Sequence, residues 1–81
     1  MQKEEILKGV QSIFIDVLED DDIILNYNTT ADDIGEWDSL NHVVLVVEIE
    51  KKFKFKFKLE EIHSFKNVGE ICDSIFDKIN N

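Results

Sequence analysis

Apolar residues at Ile6, Leu7, Val10, Ile13, Phe14, Val17 and Leu18 recur every three or four positions. That is the spacing of one buried helix face, and it predicts a helix over Lys3–Leu18. Glu4 and Glu5 fall in its first turn, where the helix dipole favours negative charge. The run Glu19–Asp22 ends it, because four like charges there repel one another and oppose the dipole's negative end. From Ile23 to Asp38 no period holds, and a long loop is expected. Ile23, Ile24, Leu25 and Tyr27 are too apolar to leave in water, so the loop should pack across the helices. Thr30-Ala31-Asp32-Asp33 has the form of a capped single turn, with Gly35 available to close it in a left-handed conformation.

The pattern over Asp38–Phe53 admits two readings. Val43-Val44-Leu45-Val46-Val47 is β-branched and suits a strand, and Phe53-Lys54-Phe55-Lys56-Phe57-Lys58 alternates with period two. Together they suggest a hairpin. Against that, Asp38 is a good N-cap, the length suits four turns, and no Gly or Asn is present for a tight turn. Leu59, Ile62 and Phe65 mark one or two amphipathic turns. Asn67-Val68-Gly69-Glu70 opens a further helix, with Val68, Ile71, Cys72, Ile75 and Ile79 on its buried face.

Length adds one constraint: 81 residues form a single domain, spanning 1–81, near the lower limit for one sufficient core. Charge adds another. Nine Lys and no Arg stand against eighteen acids, a net charge of −9. A nucleic-acid partner is excluded on that basis, since a phosphate backbone needs clustered positive charge. Residues 1–50 hold thirteen acids and two Lys (net −11), whereas residues 51–81 hold five acids and seven Lys (net +2). The domain is therefore electrostatically two-sided. With one Cys, no apolar leader over Met1–Val10 and no apolar run of membrane-spanning length, a soluble cytoplasmic monomer is expected.

The chemistry centres on Ser39, where the acidic loop meets the segment rich in Val and Leu. A serine there is either a plain helix-start residue or an attachment point for an anionic group at the positive end of a helix. Asp38, Ser39 and His42 are the residue types of a hydrolase triad, but no oxyanion hole or walled substrate site accompanies them. Asp20–Asp22 and Asp32–Asp33 lack the alternation and central Gly of a calcium loop. His42, His63 and Cys72 lack metal-ligand spacing, so no metal is expected. Cys72 lies on an apolar face and reads as inert core, and Trp37 as a buried anchor for the loop.

Ile34-Gly35-Glu36-Trp37-Asp38-Ser39-Leu40, followed by Glu48-Ile49-Glu50-Lys51-Lys52-Phe53, resembles the acyl carrier proteins. Leu59-Glu60-Glu61-Ile62 and Phe65-Lys66-Asn67-Val68-Gly69-Glu70-Ile71 resemble that family's third helix and the start of its fourth. The resemblance covers nearly the whole chain, in order. It implies an all-α, right-handed four-helix bundle with a long first loop and a short third helix, and so favours a helix over Asp38–Phe53 with Phe55–Lys58 as an extended connector. It implies that Ser39 carries 4′-phosphopantetheine, transferred from coenzyme A by a phosphopantetheinyl synthase that recognises Asp38. Acyl groups would then ride as thioesters between acyl-loading and acyl-using enzymes, and the chain would not itself be an enzyme. A peptidyl or aminoacyl carrier would share this fold and serine; an unmodified helical adaptor is the alternative from another class.

Read as a helix, Asp38–Phe53 has two apolar stripes. Leu45, Val46, Ile49 and Phe53 form one that should enter the core. Leu40, Val43, Val44 and Val47 form another, roughly 140° round, which the core cannot also cover. The second stripe is expected to dock partners, with Glu36, Asp38 and Glu50 as its rim. Familiar fatty-acid carriers place carboxylates where this chain has Asn41, Val44, Lys51 and Lys52. That departure points to a dedicated biosynthetic pathway. The Lys54/Lys56/Lys58 strip is also unusual for the family; it either contacts an acidic patch on a partner or keeps an exposed connector soluble, and solubility is the favoured reading.

Overall fold

In the computed structural model, which describes residues 2–80, four helices follow one another: α1 (Lys3–Leu18), α2 (Ser39–Phe53), α3 (Leu59–Ser64) and α4 (Val68–Ile79). Among the described residues there is no strand. α1 packs against both α2 and α4. Ile6, Val10, Ile13, Phe14 and Leu18 from α1 meet Leu45, Val46 and Ile49 from α2 and Val68, Ile71, Cys72 and Ile75 from α4 in one core. The hairpin reading of residues 43–58 fails because only a helix puts Leu45, Val46 and Ile49 on one side; a strand would send Leu45 and Val46 to opposite faces. No helix of the described residues is long and apolar enough to cross a membrane.

α1 ends where the acidic run begins. Glu19 takes a left-handed conformation (φ 54°, ψ 45°), and its N–H donates to the Ile15 carbonyl. A non-glycine residue there costs about 1 kcal/mol, offset by the shielding of a helix-end carbonyl. The 20-residue loop that follows is bolted down along its length. The Leu25 N–H donates to Gln11 Oε1 on α1 (2.8 Å). The Val68 and Gly69 N–H groups donate to the carbonyls of Thr29 (2.9 Å) and Tyr27 (2.8 Å). The open N-terminus of α4 is thus satisfied partly by the loop and partly by Asn67, whose Oδ1 accepts from the Glu70 N–H. Gly69 permits this approach: a Cβ there would lie 2.6 Å from the Tyr27 carbonyl oxygen.

Several expectations need correction. Ile23 and Leu25 are buried, but Ile24 is 81 % exposed and Tyr27 39 %. Burial alternates over Ile23, Ile24 and Leu25, and Tyr27 lies in the turn that follows. Gly35 does not close the Thr30–Asp33 turn, because no described glycine has positive φ. The turn is a short 3-10 helix, Ala31–Asp33, closed by extended Ile34. Leu59, expected on an apolar face, is 68 % exposed. It opens α3, a helix of six residues that buries none of its side chains fully.

Glu50 leaves the rim to which it was assigned. Its carboxylate turns inward, only 11 % exposed, and Oε2 accepts from the Phe57 N–H (2.8 Å). Beyond α2 the extended segment has few main-chain partners, and this carboxylate supplies one where Phe57 goes into the core.

Candidate functional site

Ser39 is the first residue of α2, and its side chain is exposed. Asp38 is the N-cap, in extended conformation, with Oδ1 accepting from the Asn41 N–H (2.8 Å). The Asp38 carbonyl accepts from the His42 N–H (2.8 Å), starting the helix. The cap occupies the third N–H of the helix. The N–H groups of Ser39 and Leu40 stay at the open, positive end.

The loop before Ser39 is held at several points. The Asn41 Nδ2–H donates to the Glu36 carbonyl (2.8 Å), and the Trp37 N–H to the Ile34 carbonyl (3.0 Å). Trp37 is buried, its ring edge-on to Phe14 on α1 at 4.9 Å. Its indole N–H donates to His42 Nδ1 (3.1 Å), which makes Nδ1 an acceptor. His42 Nε2 then carries the proton and donates to the Ile62 carbonyl of α3 (2.9 Å). One side chain therefore ties the loop, α2 and α3 together. With both ring nitrogens committed, His42 is not a base for Ser39, and the triad reading loses its central member.

α3 is held mainly by polar contacts. Glu61 accepts from Lys78 Nζ (2.9 Å), from the Ser74 hydroxyl (2.9 Å) and from the Lys58 N–H (2.8 Å). These bonds, led by the one from Lys78, hold its carboxyl down to about 2. Cys72 is fully buried, and burial, with the Asp73 charge beside it, pushes its thiol up to about 11, which fits inert core. No group of three or more His, Cys, Asp or Glu side chains among the described residues is arranged to hold a metal.

Beside Ser39 a groove of about 520 Å³ runs between α2 and α3. Trp37, Val43, Ile62 and Phe65 give it apolar walls, and His63 and Lys66 lie at its polar edge. The sequence assigned no role to His63 or Lys66, and no local pattern could have: they line the groove with Ser39 only through the placing of α3 and the turn after it. On α2, Leu40 is 76 % exposed, Val43 55 %, Val44 41 % and Val47 41 %. The uncovered second stripe is present, flanked at its start by exposed Glu36 and Asp38.

These residues suit a covalently held phosphate ester. The hydroxyl is accessible, it stands at a helix N-terminus with free N–H groups, and an apolar groove lies alongside for an uncharged arm. A family model described as a phosphopantetheine attachment site matches residues 8–75. A curated acyl carrier protein of Cyanidium caldarium is 40 % identical over 81 residues, covering 98 % of this chain and 92 % of that one. The solution structure of holo acyl carrier protein from Geobacter metallireducens superposes with a TM-score of 0.85. It is 42 % identical and covers 91 % of this chain and 85 % of that one.

Fold, site and relatives define a phosphopantetheine-bearing carrier rather than an enzyme. The chain belongs to the acyl carrier protein family, whose prosthetic group is covalent 4′-phosphopantetheine and whose members work with a phosphopantetheinyl synthase and with biosynthetic enzymes.

Proposed function

We propose that Ser39 carries the phosphopantetheine arm and that residues 1–81 form one carrier domain serving a dedicated biosynthetic pathway rather than housekeeping fatty-acid synthesis. The observation that carries the first part is the setting of Ser39: an exposed hydroxyl at the positive end of α2, presented by a loop clamped through Trp37 and His42. When bound, the arm supplies a distal thiol on which acyl groups are held as thioesters. The chain's own residues do the rest. Asp38 caps α2 and offers the synthase a carboxylate beside the acceptor hydroxyl. The Ser39 and Leu40 N–H groups face the phosphate, and Trp37 keeps the loop from shifting.

Leu40, Val43, Val44 and Val47 are the surface on which partners dock, with Glu36 and Asp38 as the charged rim and Glu50 now excluded. Tethering raises the local concentration of cargo at each enzyme so engaged. The pathway assignment rests on that surface, which is apolar and ends in Lys51 and Lys52 rather than carboxylates. A cytoplasmic, monomeric protein fits the single buried thiol.

Incubation with coenzyme A and a promiscuous phosphopantetheinyl synthase, followed by intact mass measurement, tests the attachment. One added phosphopantetheine is expected, and none in Ser39→Ala. Gain in that variant, or no gain in the native chain, refutes the assignment; the latter leaves the unmodified adaptor. Val47→Asp should leave the fold and coenzyme A loading intact but slow turnover by acyl-using enzymes. Equal turnover would remove the stripe from the docking surface. If the pathway is dedicated, housekeeping fatty-acid enzymes should turn the loaded protein over poorly.

A further inference from the structure

We propose that the C-terminal end of α2 carries a second docking site, for an acidic segment of a partner protein that inserts one apolar side chain between lysines. A recess of about 440 Å³ lies there, lined by Val47, Glu50, Lys51, Lys54, Phe55 and Lys56. Val47 and half-buried Phe55 form the apolar floor, and Phe55 is held by edge contact with Phe57 at 4.7 Å. Three ammonium groups stand around it.

The one acid of the recess does not neutralise them from outside. Glu50 is turned inward on the Phe57 N–H and is 11 % exposed. Lys56 lies 3.7 Å from it while remaining 87 % exposed, and Lys51, though paired with Glu48 at 3.3 Å, is 71 % exposed. The exposed Lys51–Glu48 pair is worth little and exchanges readily for a better partner, and Lys56, though paired with the inward-turned Glu50, keeps its own side chain open to solvent. Among the described residues Lys54 makes no ion pair. It occupies the left-handed cap of α2 (φ 61°, ψ 53°), a position a glycine would fill without strain.

Solubility explains lysines on a connector but not their grouping round an apolar recess. Charge complementarity selects the occupant. The recess is a basic island on a protein of net charge −9, so it favours a carboxylate-bearing surface. A nucleic acid would be repelled by the remaining surface. A peptide segment supplies both an apolar side chain for the floor of Val47 and Phe55 and carboxylates for the lysines around it. The site shares only Val47 with the stripe beside Ser39 and does not depend on modification of Ser39.

The test uses unmodified ¹⁵N-labelled full-length protein at low salt, titrated with an acetylated, amidated peptide Glu-Glu-Leu-Glu-Glu. Amide shifts should gather at Val47, Lys51, Lys54, Phe55 and Lys56. Replacing the peptide's Leu by Ser should weaken binding about tenfold, the loss of one buried aliphatic side chain. The double variant Lys51→Gln/Lys54→Gln, with unchanged circular dichroism, should bind the Leu peptide at least about threefold more weakly. Absent binding, shifts centred elsewhere, equal affinity for the Ser peptide, or an unaffected double variant would each overturn the proposal. So would retention of the native chain but not the double variant on phosphatidylserine-containing vesicles with no response to the peptide, which would assign the patch to a membrane.

Discussion

Replacing His42 by Leu should loosen the site without touching Ser39. Leu keeps an apolar body between Trp37 and Phe65, whose ring lies 6.5 Å from that of His42, but breaks two hydrogen bonds. The Trp37 indole N–H loses its acceptor in a residue only 7 % exposed, at a cost of about 1–3 kcal/mol. The Ile62 carbonyl belongs to a half-buried residue where water can partly replace the lost donor, so about 0.5–1 kcal/mol is added there. The sum, about 1.5–4 kcal/mol, is a large share of the stability of a small domain. It corresponds to a Tm lowered by roughly 6–30 °C. Urea unfolding followed by circular dichroism and by fluorescence of the single tryptophan would measure it. In a Trp37→Phe background, followed by circular dichroism alone, the donor is already gone, so His42→Leu should cost about 1–3 kcal/mol less. A cost below about 0.5 kcal/mol, or the same cost in both backgrounds, would refute the clamp. Coenzyme A-dependent modification of Ser39 should also slow in His42→Leu, because the loop and α3 lose their common tie.

Gly69→Ala should destabilise the fold by about 1–3 kcal/mol in thermal unfolding, since its Cβ would meet the Tyr27 backbone oxygen at 2.6 Å and the loop must retreat from α4. Asp38→Ala should cost about 1 kcal/mol through loss of the cap on the Asn41 N–H, measured by urea unfolding. Glu61, held at about 2 against an ordinary 4.5, binds its proton more weakly in the folded chain. Its contribution is therefore complete above about pH 4.5 and is lost as the pH falls through about 2. With its side chain still 30 % exposed the contribution is about 1 kcal/mol, and Lys78→Met should flatten that part of the stability profile. Cys72, buried and with its thiol raised to about 11, should resist iodoacetamide at pH 8 and react at once in denaturant, as intact mass would report.

Wherever one periodicity was unopposed, the sequence determined the element. α1 and α4 follow from their apolar spacing, and the cap at Asn67 from residue type alone, because these depend on neighbours within one turn. Once residues 38–53 are taken as a helix, Asp38 as cap, Ser39 as first helical residue and the division of α2 into a buried and an open stripe follow in the same way. Over residues 43–58 local preference contradicted the outcome: β-branched and alternating residues suit a strand, yet α2 is a helix because the core rewards Leu45, Val46 and Ile49 on a common side. The resemblance resolved that conflict before the structure did. Other features had no local signature at all. Glu50 looked like a rim carboxylate until the connector folded back and offered it the Phe57 N–H. His42 was legible as one of the triad residue types, but not as the tie between Trp37 and Ile62, residues on either side of it in the chain and joined only by packing. The groove beside Ser39 and the lysine-ringed recess at the far end of α2 likewise exist only once α3 and the connector are in place. Sequence determines what one helix can present; which faces meet is a long-range choice, made by whatever arrangement buries the most apolar surface while leaving few polar groups without partners.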